Sequence, residues 1–128
     1  MVGNMVKAAI KAARKAIEST YEGVLTVTEH QKVTDENTKL TDYQDVVVLE
    51  NQPCHLSFET LNNAVQSDSA AAVTQTIKLF VSPDISIKAG SKITVTQAGI
   101  TADYACSGIP AVYETHQEII LVLFERWA

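Results

Sequence analysis

The stretch Ser82-Pro-Asp-Ile-Ser-Ile-Lys-Ala-Gly-Ser-Lys-Ile-Thr-Val-Thr96 sets the reading of the whole chain. Ile85 and Ile87 alternate with polar residues, Pro83 and Gly90 punctuate the run, and Ile93 and Val95 resume the alternation. A period of two broken by a Gly turn is the mark of antiparallel strands with one buried face. Similar signals lie on both sides. Thr74–Val81 places Ile77, Leu79 and Val81 on one face, and Gln97-Ala-Gly99 is a hairpin turn leading into Ile100–Cys106. Ser107-Gly-Ile-Pro110 reads as a further turn, and Thr115–Trp127 as a last strand apolar on both faces. Such a strand is central, or is covered from outside by a helix or a subunit. No helical pattern separates these strands, so the expected architecture is mainly β: a small antiparallel β-barrel or sandwich.

Upstream, Val24–His30 alternates, the polar Gln31–Thr41 reads as a loop, and Tyr43–Glu50 carries the buried run Val46-Val-Val-Leu49. Pro53 lacks a donor and marks a bulge or a strand edge before Cys54–Glu59. The run 61–73, with Asn62-Asn63, Ser67-Asp-Ser69 and Ala70-Ala-Ala72, has few large apolar groups and reads as a long mobile loop. At the N-terminus, residues 1–18 read as an amphipathic helix. Val2, Met5, Val6, Ala9, Ile10, Ala13 and Ile17 recur at helical spacing, with Lys7, Lys11, Arg14 and Lys15 largely opposite. Gly23 ends the helix or opens the first strand. A length of 128 residues suits one domain, with a helix over 1–18 and the β unit over 23–128.

The net charge of −5 is unevenly spread: residues 1–18 carry +3 and the remaining 110 carry −8. An acidic body argues against tight duplex binding, which needs clustered Lys and Arg. The basic helix face is either solvated or a contact for an acidic partner. No run has the length of a membrane span, and Lys7 and Lys11 break any signal-peptide core, so a cytosolic origin is expected. Cys54 and Cys106 lack metal spacing and are expected to be reduced, buried hydrophobes.

The chain shows no complete catalytic motif. Glu114, His116 and Glu118 alternate and could share a face, but no second His-rich segment completes a metal site. Cys54 and His55 are adjacent, so on a strand they point apart. Ala89-Gly-Ser-Lys92 lacks the first Gly of a phosphate loop and lies between strands. Trp127 and Tyr113 read as packing anchors, since a nucleic-acid stacking platform needs basic residues beside the rings. No catalytic residue, cofactor or metal is expected, and the chain reads as a non-enzyme.

One longer arrangement is more specific. It comprises Phe80-Val-Ser-Pro-Asp-Ile-Ser-Ile-Lys-Ala-Gly-Ser-Lys-Ile-Thr-Val-Thr-Gln97, then Tyr104, Ser107-Gly108, Pro110-Ala-Val-Tyr-Glu-Thr-His-Gln-Glu-Ile119, and the closing Leu123-Phe-Glu-Arg-Trp127. With Pro53-Cys54 and Leu56-Ser57, it resembles the small minor capsid proteins of siphophages and Gram-positive prophages, which look related to head–tail joining, or head-completion, proteins. The resemblance covers most of residues 43–128 and is weaker over the helix. It implies a β-barrel assembling as a ring below the portal, with portal or adaptor and tail proteins as partners. DNA would pass through that ring without specific binding. The implied location is the virion, and the bacterial cytoplasm during assembly. A tail-terminator or tail-tube ring protein, or a small β-barrel ligand-binding or enzymatic module, are the alternatives. The expected interface comprises Met5, Val6, Ile10 and Ile17 on the helix and Asp68 in the loop.

Overall fold

The computed structural model describes residues 2–62 and 73–127. A helix, α1 (Val2–Glu18), precedes six strands: β1 (Gly23–Thr34), β2 (Thr41–Asn62), β3 (Val73–Val81), β4 (Lys92–Gln97), β5 (Ile100–Val112) and β6 (Gln117–Leu123). The strands close into an antiparallel barrel in the order β1-β2-β3-β6-β5-β4. Two three-stranded meanders therefore meet along the β3–β6 and β4–β1 seams. Closure removes sheet edges within the barrel. The expected barrel with an N-terminal helix is what forms.

Every strand contributes to the interior. Leu25 and Val27, Cys54 and Leu56, Ile77, Leu79 and Val81, Ile93 and Val95, Tyr104, and Ile119 and Leu121 form one buried cluster. These side chains fill the barrel, so its centre is a packed core rather than a ligand cavity.

Local chemistry explains the turns. Ala98 and Gly99, both at positive φ, form the two-residue loop between Gln97 and Ile100, the expected hairpin. Gly23 opens β1 because a Cβ there would lie 3.0 Å from Gln97 Oε1 and 3.1 Å from the Cys54 carbonyl. That contact reflects a necessary stitch. β1 begins opposite Cys54, so the next backbone groups on that side of β2, those of Leu56, have no strand partner. The Gln97 side chain supplies one: Leu56 N–H donates to Oε1 at 2.8 Å, and Nε2 donates to the Leu56 carbonyl at 3.0 Å. A side-chain amide thus takes the place of the missing residues of β1.

Several elements differ from the sequence expectation. The polar run expected as a loop over 31–41 is a hairpin: β1 reaches Thr34, β2 starts at Thr41, and Asp35 organises the turn by accepting from Lys39 N and Asn37 N. Its strands are held by polar cross-strand pairs, Thr34–Thr41 and His30–Asp45, which leave no apolar alternation to read. The bulge expected at Pro53 lies just before it, and β2 runs on through both. The bulge is the bend of one 22-residue strand, with register shifts against β1 and Asn51 at positive φ. The turn expected at Ser107–Pro110 is likewise a bulge within β5, because β6 pairs with both sides of it. Gly108 supplies the positive φ.

Ile85 and Ile87, the start of the opening stretch, are not in a strand. β3 and β4 are not neighbours, so their connection must cross the barrel end. Ile85 and Ile87 pack on the core from there, and the Gln117 amide fixes the crossing by donating to the carbonyls of Ser82 and Ile85. A connection with alternate residues facing the core has the same period of two as a strand. The last strand stops at Leu123 rather than Trp127. The loop expected over 61–73, Asp68 included, falls largely outside the described residues, and β2 and β3 run to Asn62 and from Val73.

Gln97→Ala should destabilise the fold by about 2–3 kcal/mol, because two backbone groups of the buried Leu56 lose their partners. Gln44→Ala, at an exposed position of β2, should change stability by less than about 0.5 kcal/mol. Urea unfolding of the two variants checks the difference.

Candidate assembly surfaces

Three parts of the molecule extend from the closed barrel: α1, the ribbon formed by residues 29–34 of β1 with 41–46 of β2, and the ends of β2 and β3. The barrel needs none of them for closure.

α1 does not lie along the sheet. Arg14 tethers it, donating from one guanidinium nitrogen to Asp84 Oδ2 at 2.8 Å and from another to the Glu114 carbonyl at 3.1 Å. At its foot, Ile17 lines an open groove with Thr20, Tyr21, His55, Ser57, Phe80 and His116. The stripe expected as an interface is therefore divided. Ile17 is half-buried at this groove and Ile10 is half-buried, while Met5 is 75% exposed and Val6 is 49% exposed. Asp68 lies outside the described residues, so the helix residues are not brought together with it.

The ribbon carries a second apolar surface that sequence reasoning missed. Leu40 in its turn, Tyr43 on its β2 strand, and Val47 and Val48 on β2 at its base are exposed. The run Val46–Leu49 was expected to be buried, yet only Leu49 packs on the core. β4 pairs with β1 only as far as Thr28, and β3 pairs with β2 only from Cys54. Beyond those points each ribbon strand has one partner and one free edge. The signal available in the sequence was the acidic, turn-punctuated run around it, with Glu29, Asp35, Glu36, Asp42, Asp45 and Glu50 against Lys32 and Lys39. The outer face of β6 adds Ile120 and Val122, both exposed and not covered by α1.

Aromatic packing fixes the base of the ribbon. His30 is stacked between Tyr43 and Trp127, with ring centroids 4.8 and 4.9 Å away, and its Nδ1 lies 3.0 Å from Asp45. Phe124 meets Trp127 edge-on, and Lys92 Nζ sits 5.6 Å from both rings. Trp127 thus serves as a packing anchor, here joining the segment after β6 to the ribbon.

Of the three residues weighed as a metal cluster, His116 and Glu118 meet. Glu114 and His116 precede β6, and only Glu118 is on it. His116 Nε2 lies 2.9 Å from Glu118 Oε2, and Lys78 Nζ lies 3.2 Å from Oε1. The hydrogen bond from His116, aided by Lys78, holds the Glu118 carboxyl below its usual range. Among the described residues no three His, Cys, Asp or Glu side chains are placed to hold a metal. Cys54 faces the core while His55 lies outside against Phe80, so the two point apart as their adjacency on a strand requires. Both cysteines are free. Burial pushes the Cys54 thiol up to about 12 and raises that of Cys106. Among the described residues no helix is long and apolar enough to cross a membrane.

No protein-family model matches the chain, and a comparison with curated proteins finds no match. The solved structure of the phage-like element PBSX protein xkdH from Bacillus subtilis is similar over 80% of this chain and 92% of its own, at 13% identity and a TM-score of 0.44. A likeness of that depth carries no argument about role.

Cys54 should resist thiol reagents until the protein unfolds. The folded state keeps this thiol neutral above its ordinary value near 9, whereas the unfolded chain releases the proton. Its contribution to stability is therefore full below about 9 and is lost as pH rises toward about 12. Urea midpoints measured across that range should fall more steeply for the wild type than for Cys54→Ala.

Proposed function

We propose that the chain is a structural subunit of a tailed-phage or prophage virion, acting in the head–tail connector as a head-completion ring component. The observation that carries this reading is the contrast between a barrel filled by its own side chains and appendages that leave apolar surface without a partner. Met5 and Val6 on α1, and Leu40, Tyr43, Val47 and Val48 on the ribbon and at its base, are exposed together with charged residues. Exposed apolar patches with polar rims mark protein–protein contact surfaces. A filled barrel weighs against an interior ligand site of the kind a binding module would use.

The phage assignment rests on the sequence resemblance carried by Phe80–Gln97 and Pro110–Ile119. The partners in this reading are further copies of the chain, a portal or adaptor protein, and tail proteins. The acidic body suits a conduit wall, because it repels passing phosphates rather than holding them. Association in solution is weak, and a ring forms on a portal or adaptor template. Two exposed apolar side chains on a helix are too little to hold a ring against the entropy cost of association.

Deleting the gene from the phage or prophage that carries it should yield DNA-filled heads and separate finished tails, with joining restored by a wild-type copy. A Val6→Asp, Ile10→Asp copy should restore it poorly. Electron microscopy of the particles provides the check. Normal joined particles from the deletion strain would overturn the reading.

A further inference from the structure

We propose that α1 of one copy docks on the β1–β2 ribbon of a second copy. This inference rests on the assembly reading above and names the partner of its exposed surfaces.

Charge is the first argument. α1 carries Lys7, Lys11, Arg14 and Lys15 against Glu18, a net of +3. Residues 29–46, the ribbon and its turn, carry Glu29, Asp35, Glu36, Asp42 and Asp45 against Lys32 and Lys39, a net of −3. The most basic segment and the ribbon are thus opposite in sign. Because the lysines lie largely opposite the apolar stripe, they act at range, steering the encounter, while the stripe makes the contact.

Apolar surface is the second. Each side offers side chains that its own fold leaves uncovered: Met5 and Val6, with Ile10 half-covered, on the helix; Leu40 and Tyr43 on the ribbon, with Val47 and Val48 at its base. Within one copy the two do not meet. Arg14 ties the helix to Asp84 and the Glu114 carbonyl at the barrel end, and no strand packs along its length.

Size and stability are the third. Seventeen helical residues span about 25 Å, and the six residue pairs of the ribbon span about 20 Å. The helix therefore covers the ribbon along its length. A two-stranded ribbon is marginal in water by itself, so an apolar cover supplied by a neighbour also completes it. The contact joins two different patches, so it is head-to-tail. It closes into a ring or runs open according to the rotation between copies.

Sedimentation velocity on the full chain tests this, using charge reversal at exposed positions. The wild type should show a sedimentation coefficient that rises with protein concentration and falls back in high salt. Lys7→Glu with Lys11→Glu, and separately Glu36→Lys with Asp42→Lys, should each shift association to about tenfold higher concentration. Circular dichroism should show both variants folded. An equimolar mixture of the two should regain association, because the reversed helix meets the reversed ribbon while the native pair meets in the other direction. A wild type that stays monomeric up to about 1 mM overturns the inference, as do variants that associate like the wild type or a mixture that stays dissociated. None of these results bears on whether the deletion strain joins its heads to tails, so the two readings fail separately.

Discussion

The Gln97 side chain bonds both backbone groups of Leu56, and the rest of the molecule depends on that pair of hydrogen bonds. The barrel closes from two three-stranded meanders, and β1 must pair with β2 inside its own meander and with β4 across a seam. It starts too late along β2 to satisfy Leu56. Without the amide, a buried N–H and C=O would face the β1 seam unpaired, at a cost comparable to a sizeable share of a small domain's stability. Gly23 belongs to the same device, since any side chain there would press on the Gln97 oxygen and Cys54. At the other end, Gln117 does similar work on Ser82 and Ile85, where the crossing from β3 to β4 leaves carbonyls without strand partners. Two side-chain amides, one buried and one half-buried, thus complete what strand pairing leaves open.

Once the barrel is satisfied internally, everything outside it is free to serve a different purpose. The core draws on all six strands and draws nothing from α1. The ribbon joins the core only at its base, where Leu49 packs inward and Trp127 and Tyr43 clamp His30. The charge divides along the same line, with a basic helix and an acidic ribbon on one otherwise acidic body. A self-sufficient scaffold bearing opposite-sign, partly apolar appendages is the feature on which the proposed assembly role rests.

Much of this was legible in the sequence wherever local chemistry acts alone. The helix Val2–Glu18 follows from its 3.6-residue period, and Gly99 announces its turn by backbone preference. The strands at Val24, Thr74 and Lys92 follow from alternation against a single core. Reading failed where pairing partners, rather than periodicity, decide. The ribbon is built from polar pairs such as Thr34–Thr41, so it resembles a loop. Gly108 and Pro110 mark a turn or a bulge equally well until β6 is known to pair on both sides. Ile85 and Ile87 alternate because a crossing segment faces the core, not because it is a strand. The same limit governs the candidate surfaces. Met5 and Val6 were visible as a helical stripe, whereas the exposure of Val47 and Val48 depends on where β3 and β4 stop pairing, which no local pattern records.

The central claim is that the barrel stands alone while α1 and the ribbon are held only at their bases. Amide hydrogen exchange on the dilute monomer tests it most directly. The account predicts the slowest exchange at Leu25, Val27, Leu79, Val95 and Ile119, and exchange faster by orders of magnitude along residues 5–13 of α1 and 29–34 of the ribbon. Protection of those segments equal to that of the barrel core, in a sample shown to be monomeric, would contradict it.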